Sequence, residues 1–388
     1  MVSHSARSRH IAVFYVATFL FWASTYVYMP VLAVHAQKNL GASMALVGII
    51  VGSYSFAQFA LRVPMGIWSD RIGRRKPFIV AGMMIAAVAG AGLALSTNPE
   101  WLVVWRGMSG VTAAAWVVFT VLFCSYFPTD QTTRAMGYLT FVAGASQMVS
   151  TYFGGHIAQE WGWTVPFYVS AVLGVLGTIA VLPLAEKPLA VRGSATVGHM
   201  IAVGTVPLLL AVSVVAMLGS WTLWATSNGF TLVYAEQLGA SRSDLGTLNT
   251  AVQLSYTVCT IGSAFVAERI GLKRAIILGV AMQAVGSLMV PWTDSLLLVG
   301  LTQVLGGAGR GFSYPLLMSL SIRDVSPSDR ATAMGVFQAI YAIGGFVGPA
   351  STGILGDNFG MNSIFIVAGL AAALGVVVVA AKVPSREG

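Results

Sequence analysis

Carboxylates are scarce in this chain, and cysteine is scarcer still. The two cysteines, Cys124 and Cys259, exclude a disulfide framework, and with only five histidines they leave no ligand cluster for a structural or catalytic metal. No Walker-type phosphate loop and no dinucleotide fingerprint occurs, which argues against a membrane enzyme and an ATP-driven pump. No nucleophile–base constellation stands out either, so neither enzymatic activity nor a cofactor is expected. Period-2 alternation, the mark of a membrane β-barrel, is missing as well. Charged residues make up only 9% of the 388 residues, against about a quarter in a soluble domain.

What is present is apolar. Hydrophobic residues make up 56%, mean hydropathy is +0.80, and runs such as "FIVAGMMIAAVAGAGLAL" are long enough to cross a bilayer as helix. Twelve spans are expected, near residues 11–36, 45–69, 77–96, 101–126, 135–158, 163–185, 200–234, 244–267, 275–292, 296–322, 331–356 and 361–381. The basic N-terminus lacks a small-residue cleavage pattern, so the first apolar stretch reads as an uncleaved helix. The net charge of +8 raises the question of a nucleic-acid partner, but the bases are sorted by loop. Sixteen of the 21 lie in alternate loops, the opposite loops hold only Lys38 and Arg242, and Arg62, Arg106 and Arg310 lie inside spans. This is the positive-inside asymmetry. It places both termini in the cytoplasm, argues against a nucleic-acid partner and makes the lipid bilayer the surrounding medium.

Two charged loops share a skeleton: "GIWSDRIGRRKP" (Gly66–Pro77) and "AFVAERIGLKRA" (Ala264–Ala275), 198 residues apart. The same offset sets "NLGASMALVG" (Asn39–Gly48) on "QLGASRSDLG" (Gln237–Gly246), "AMGY" (Ala135–Tyr138) on "AMGV" (Ala333–Val336), and Gly155 on Gly353. The chain therefore reads as two six-helix halves in parallel orientation, residues 1–185 and 200–388, joined by a cytoplasmic linker, 186–199.

Gly66, Asp70, Arg71, Gly73, Arg74 and Arg75 resemble the loop signature between the second and third helices of the major facilitator superfamily, and Glu268, Arg269 and Gly271 its degenerate second copy. The resemblance covers nearly the whole chain. It implies an all-α fold of twelve transmembrane helices, secondary transport by alternating access around a central site, and a monomer. The loop itself suggests a conformational latch built from Gly66, Asp70, Arg71, Gly73, Arg74, Asp130, Glu268 and Arg269. Asp70 would sit at the N-terminus of the eleventh helix, where the dipole favours a carboxylate, and Arg74 would pair with Asp130. The bland alternative is a loop that only fixes topology.

All thirteen acids lie at or near helix ends or in loops, so no carboxylate sits at mid-membrane. Intramembrane charge is costly and functional by default. Arg310 is the deepest, about 14 residues or ~21 Å into its span at 1.5 Å per residue. Arg106 matches the arginine of the family's fourth-helix motif, and Arg62 is expected about two turns from a helix end. Snorkelling is the structural alternative for Arg62 and Arg106, and backbone pairing for Arg310. A cationic site without counter-charge favours an anionic substrate group, which a guanidinium fork holds bidentately. With Arg310, Arg106 and Arg62, the expected substrate-binding residues are Trp22, Tyr26, Trp224, Asn228, Gln253, Tyr314 and Tyr341. The expected partners are a small-molecule substrate, an organic anion or zwitterionic amphiphile, and a coupling species, proton or counter-substrate. The other reading is a multidrug/proton antiporter. Against it, the fifth helix reads "GASQMVSTYFGG" without the proline of GxxxGPxxGG, and "GFVGPASTG" lies in the eleventh instead. The expected location is the plasma (inner) membrane.

Overall fold

The computed structural model describes residues 4–128, 131–186, 197–326 and 329–384. Helix follows helix, with no strand among the described residues. The first, α1, runs as His4–Tyr26, breaks, resumes as Met29–Val34 and ends in a π-helical turn, His35–Asn39. Then come α2 (Met44–Ile72), α3 (Lys76–Leu95), α4 (Pro99–Ala114 and Trp116–Cys124), α5 (Thr132–Trp161) and α6 (Val165–Val181). A short helix, Val197–Gly204, precedes α7, which comprises Pro207–Ala225, a π-helical turn Thr226–Phe230, and Thr231–Gln237. The remainder are α8 (Arg242–Ile270), α9 (Leu272–Met289), α10 (Leu296–Leu320), α11 (Arg330–Phe359) and α12 (Met361–Lys382).

Each expected span coincides with a helix, but the seventh starts later than expected. Pro207 occupies the first turn of α7 and holds Val206 at ψ 120°, outside the helical region, as proline does to the residue before it. Among the described residues nine helices are long and apolar enough to cross a membrane: α1–α4, α7–α9, α11 and α12. Of the others, α6 is apolar but short. The polar, glycine-rich stretches of α5 and α10 dilute their hydropathy, "GASQMVSTYFGG" in the one and "GGAGRGFSYP" in the other.

The 198-residue offset governs the turns. Among the described residues all six glycines with positive φ fall into pairs at that spacing: Gly41 and Gly239, Gly73 and Gly271, Gly162 and Gly360. Ser43 and Ser241, another such pair, cap α2 and α8 through their side chains. The breaks in α1 (Val27–Tyr28) and α7 (Thr226–Phe230) also lie in matching registers. On α6 and α12 the large exposed side chains recur three and four residues apart: Val172, Leu176 and Ile179; Leu370, Leu374 and Val377. Such apolar stripes suit lipid contact.

Between the first six helices and the last six, α2 packs along α11 and α5 along α8. The contact is tightest toward the end carrying the α1–α2 and α7–α8 loops, and between α2 and α11 it stays close as far as Gly52 and Ser55. There a Cβ on Gly48 would stand 2.0 Å from the Pro349 carbonyl oxygen, and one on Gly353 2.3 Å from that of Met44. The equivalent pairs are also close, though less so, Gly246 against Thr151 at 2.9 Å and Gly155 against Arg242 at 2.6 Å. At the opposite end Gly66, Gly137 and Gly335 have nothing within 4 Å of a Cβ position. The helices are clamped at one end and parted at the other.

Candidate functional site

Between the clamped end and the parted end, polar groups of the two sets of helices meet. Arg62 on α2 donates through Nη1 to Gln338 Oε1 on α11 at 2.7 Å. Gln253 on α8 donates to Gln147 on α5 at 3.1 Å, and the rings of Tyr54 and Trp224 lie 5.4 Å apart. Arg310 of α10 stands beside this seam. Its guanidinium carbon lies 4.2 Å from the Tyr256 ring centre and 5.7 Å from that of Tyr314, one helical turn on, and Nη2 approaches the Tyr341 hydroxyl at 3.4 Å. Its electrostatic neighbours are Tyr341, Tyr256, Tyr26 and Tyr314; those of Arg62 are Tyr314, Tyr54 and Tyr341. Two cations thus flank a shared pair of tyrosines, and no carboxylate accompanies either among the described residues. The Nε of each is buried without a hydrogen-bond partner. Unmatched buried polar atoms are uncommon and call for an explanation.

The pocket against Arg310 is lined by Ser220, Gln283, Ser313, Tyr314 and Tyr341 among others and is nearly filled by them in this state, with a volume of about 10 Å³. Gln283 donates to Ser313 at 3.0 Å, fixing the polar wall. Trp22 and Tyr26 pack edge to face on α1 at 5.8 Å, and the Trp22 indole nitrogen also has no partner. Trp224 and Asn228 sit at the break of α7, both buried. Helix breaks of this π type recur at functional sites because they redirect side chains and free backbone groups.

Arg106 borders the same tyrosines, Tyr26 being a neighbour of both Arg310 and Arg106 and Tyr54 of both Arg62 and Arg106. It is 1% exposed and enclosed within the first six helices. Nη1 donates to Tyr28 Oη at 2.6 Å, Nη2 to Met29 Sδ at 3.0 Å, and the guanidinium carbon lies 4.2 Å from the Tyr54 ring centre. Tyr28 in turn donates its hydroxyl hydrogen bond to Ser109 Oγ at 3.0 Å. The arrangement straps the broken segment of α1 to α4, and the Nε of Arg106, like those of Arg62 and Arg310, is buried without a partner. The sequence could not show this strap, because Tyr28 reaches Arg106 only through the break after Tyr26. Replacing Tyr28 by Phe leaves a charged buried donor unmatched and should cost about 2 kcal/mol, read as a lower denaturation midpoint in detergent.

The loop residues divide similarly. Gly73 closes α2 at φ 69°, Arg71 is exposed, Arg269 stacks on Phe265 at 4.1 Å, and Glu268 is exposed. Asp130 and the Asp70 side chain lie outside the described residues, as do 187–196 of the linker. The group found at the start of α3 is Glu186, whose carboxylate accepts from the backbone N–H groups of Arg75 and of Lys76, the latter at 3.0 Å. From sequence alone Glu186 reads only as the start of the linker. The signal was available: an acid is favoured at a helix N-terminus. Arg74 lines a cleft of about 560 Å³ beside this cap with Lys76, Pro77 and Leu184.

A helical membrane protein whose first and last six helices meet around a polar centre, clamped at one end only, has the architecture of a carrier. The chain belongs to the Major Facilitator Superfamily, whose sequence pattern it matches over residues 14–227 and again over 209–388. It is 25% identical over 367 residues to the multi-drug resistance efflux pump PmrA of Streptococcus pneumoniae, covering 92% of this chain and 91% of that protein. Over 368 residues it is 22% identical to the MFS-type transporter MJ1560 of Methanocaldococcus jannaschii, covering 89% and 93%. The inner membrane transport protein YajR of Escherichia coli is 33% identical over 159 residues, which spans 40% of this chain and about a third of YajR (34%). Among solved structures, the nucleoside transporter NupG superposes with a TM-score of 0.80 at 14% identity, covering 97% of this chain and all of that one. A bacterial homologue of the lysosomal transporter Spinster, inward-facing and occupied, gives 0.80 at 16% identity, covering 98% and 97%. At such identities the likeness concerns the fold.

Proposed function

We propose that this transporter moves a small organic anion or zwitterionic amphiphile by alternating access, with Arg310 as the principal anion-binding group. The observation that carries the reading is the pair Arg310 and Arg62, set among tyrosines with no acid beside them among the described residues. A carboxylate or phosphate oxygen would satisfy the unmatched Nε donors, and a planar fork suits either group bidentately. Tyr26, Tyr256, Tyr314 and Tyr341 with Trp22 and Trp224 offer the apolar walls that hold a ligand body. In this reading all twelve helices cross the plasma (inner) membrane, both termini are cytoplasmic, and halves 1–185 and 200–388 rock about the 186–199 linker as a monomer. The clamped end is then external, and the structure represents the inward-facing state. Coupling would be to a proton or a counter-substrate.

Full-length similarity to PmrA, a multi-drug efflux pump by name, favours a second reading as a multidrug/proton antiporter. The two part on charge. Reconstituted protein should exchange labelled carboxylate- or phosphate-bearing solutes across proteoliposomes and leave lipophilic cations untouched. Proton-driven cation movement without anion exchange would establish the second reading instead.

A further inference from the structure

We propose that the clamped end is a gate locked by repeat-equivalent contacts, and that one charged member, Asp357, carries most of the lock. Among the polar contacts that join the two sets of helices there, three are related by the repeat. Asp357, at the end of α11, accepts from the backbone N–H groups of Met44 at 2.8 Å and Ala45 at 2.9 Å, the first residues of α2. Gln159, at the end of α5, accepts from the N–H of Arg242 at 3.1 Å, the first residue of α8. Asp357 lies 198 residues after Gln159, and Arg242 lies 198 after Met44, so one contact is the repeat image of the other. The third is the ion pair Lys38–Glu236, whose members are themselves 198 residues apart. A residue bonded to its own image lies on the axis relating the two repeats. The gate therefore has a bolt on the axis and a cap on each side.

The two caps differ in strength for a physical reason. A helix N-terminus presents unpaired N–H groups and a partial positive charge, which favour an anion. Asp357 answers both: two N–H groups and a full charge. Gln159 answers one N–H group with a neutral carbonyl, and its side is supplemented by Arg242, which donates to Ala158 O at 2.7 Å and lies 4.6 Å from the Trp163 ring centre. The glycines beneath, Gly48 with Gly353 and Gly246 with Gly155, set the backbones close enough for these side chains to reach. For the end to open, Asp357 must leave α2 and Lys38 must leave Glu236 together. The cations of the site do not repeat in this way: Arg310 corresponds to Thr112 and Arg62 to Thr260. The gate is built symmetric and the charge of the site asymmetric.

The test uses full-length protein in oriented vesicles, with Cys124→Ser and Cys259→Ser as background. Leu238→Cys, exposed in the α7–α8 loop, identifies the face that carries the gate, whichever face that is. Ser55→Cys, buried beneath the gate beside Gly345, reports opening toward an impermeant maleimide added on that face. Asp357→Asn, which loses the charge and one of the two accepting oxygens, should raise Ser55→Cys labelling about fivefold. Gln159→Glu, which gives the second cap a charge, should lower it. Lys38→Glu alone should raise it, and Lys38→Glu with Glu236→Lys should bring it back, since the swapped pair occupies the same axis. Opposite signs for Asp357→Asn and Gln159→Glu cannot come from general misfolding. Unchanged labelling in Asp357→Asn, with Leu238→Cys still reacting, would overturn the proposal. So would a charge-swapped double variant that stays as open as the single.

Discussion

Replacing Arg310 by Gln is expected to abolish transport while leaving the fold intact. In the structure this guanidinium is held by aromatic faces and one long hydrogen bond to Tyr341, not by an acid. Removing a charged group that meets a substrate anion in a desolvated site costs about 3 kcal/mol or more, roughly a hundredfold in affinity. Stability moves the other way. A buried cation without a counter-charge carries an unrecovered desolvation cost, so a neutral glutamine relieves the fold. The denaturation midpoint of Arg310→Gln should equal or exceed that of the wild type even as uptake by proteoliposomes disappears. Arg310→Lys, which keeps the charge and loses the planar fork, should fall between the two. Wild-type uptake by Arg310→Gln would remove Arg310 from the site.

Two single-methyl substitutions should separate fold from motion. A Cβ on Gly154 would stand 1.7 Å from the Val27 carbonyl oxygen at the break of α1. Both partners belong to the first six helices, so parting the two sets of helices gives the strain no outlet. Gly154→Ala should destabilise by about 3 kcal/mol, the upper range for overpacking. Gly48→Ala makes a comparable clash, 2.0 Å from Pro349 O, but across the seam between α2 and α11. Parting the helices at the clamped end relieves it. Its denaturation midpoint should stay near wild type while Ser55→Cys beneath the seam becomes reactive. Equal loss of stability in both variants would mean that the seam belongs to one rigid body.

Much of this was legible beforehand. The 198-residue offset, found in the charged loops, anticipated the paired positive-φ glycines and the paired serine caps, because identical local chemistry makes identical turns. Arg310 with Tyr314 was legible from helical spacing alone. The Arg106–Tyr28 bond was not, since periodicity assigns a residue to a face without telling which neighbour a broken helix swings across it. Nor was the Arg62–Gln338 bond, which joins residues 276 apart with no repeat relation. Asp357 and Gln159 were missed for a subtler reason. As an acid and an amide at equivalent helix ends they look unrelated, yet each meets the first turn of a helix from the other repeat.

The measurement that bears most directly on the anion site is thermal stability of the purified protein against organic anions and lipophilic cations, on wild type and Arg310→Gln side by side. A ligand at a hundred times its dissociation constant stabilises by about 2.7 kcal/mol, ample to move a melting curve. Stabilisation of the wild type by carboxylate- or phosphate-bearing compounds, lost in Arg310→Gln, is the predicted result. Stabilisation by lipophilic cations, unaffected by the substitution, would contradict it.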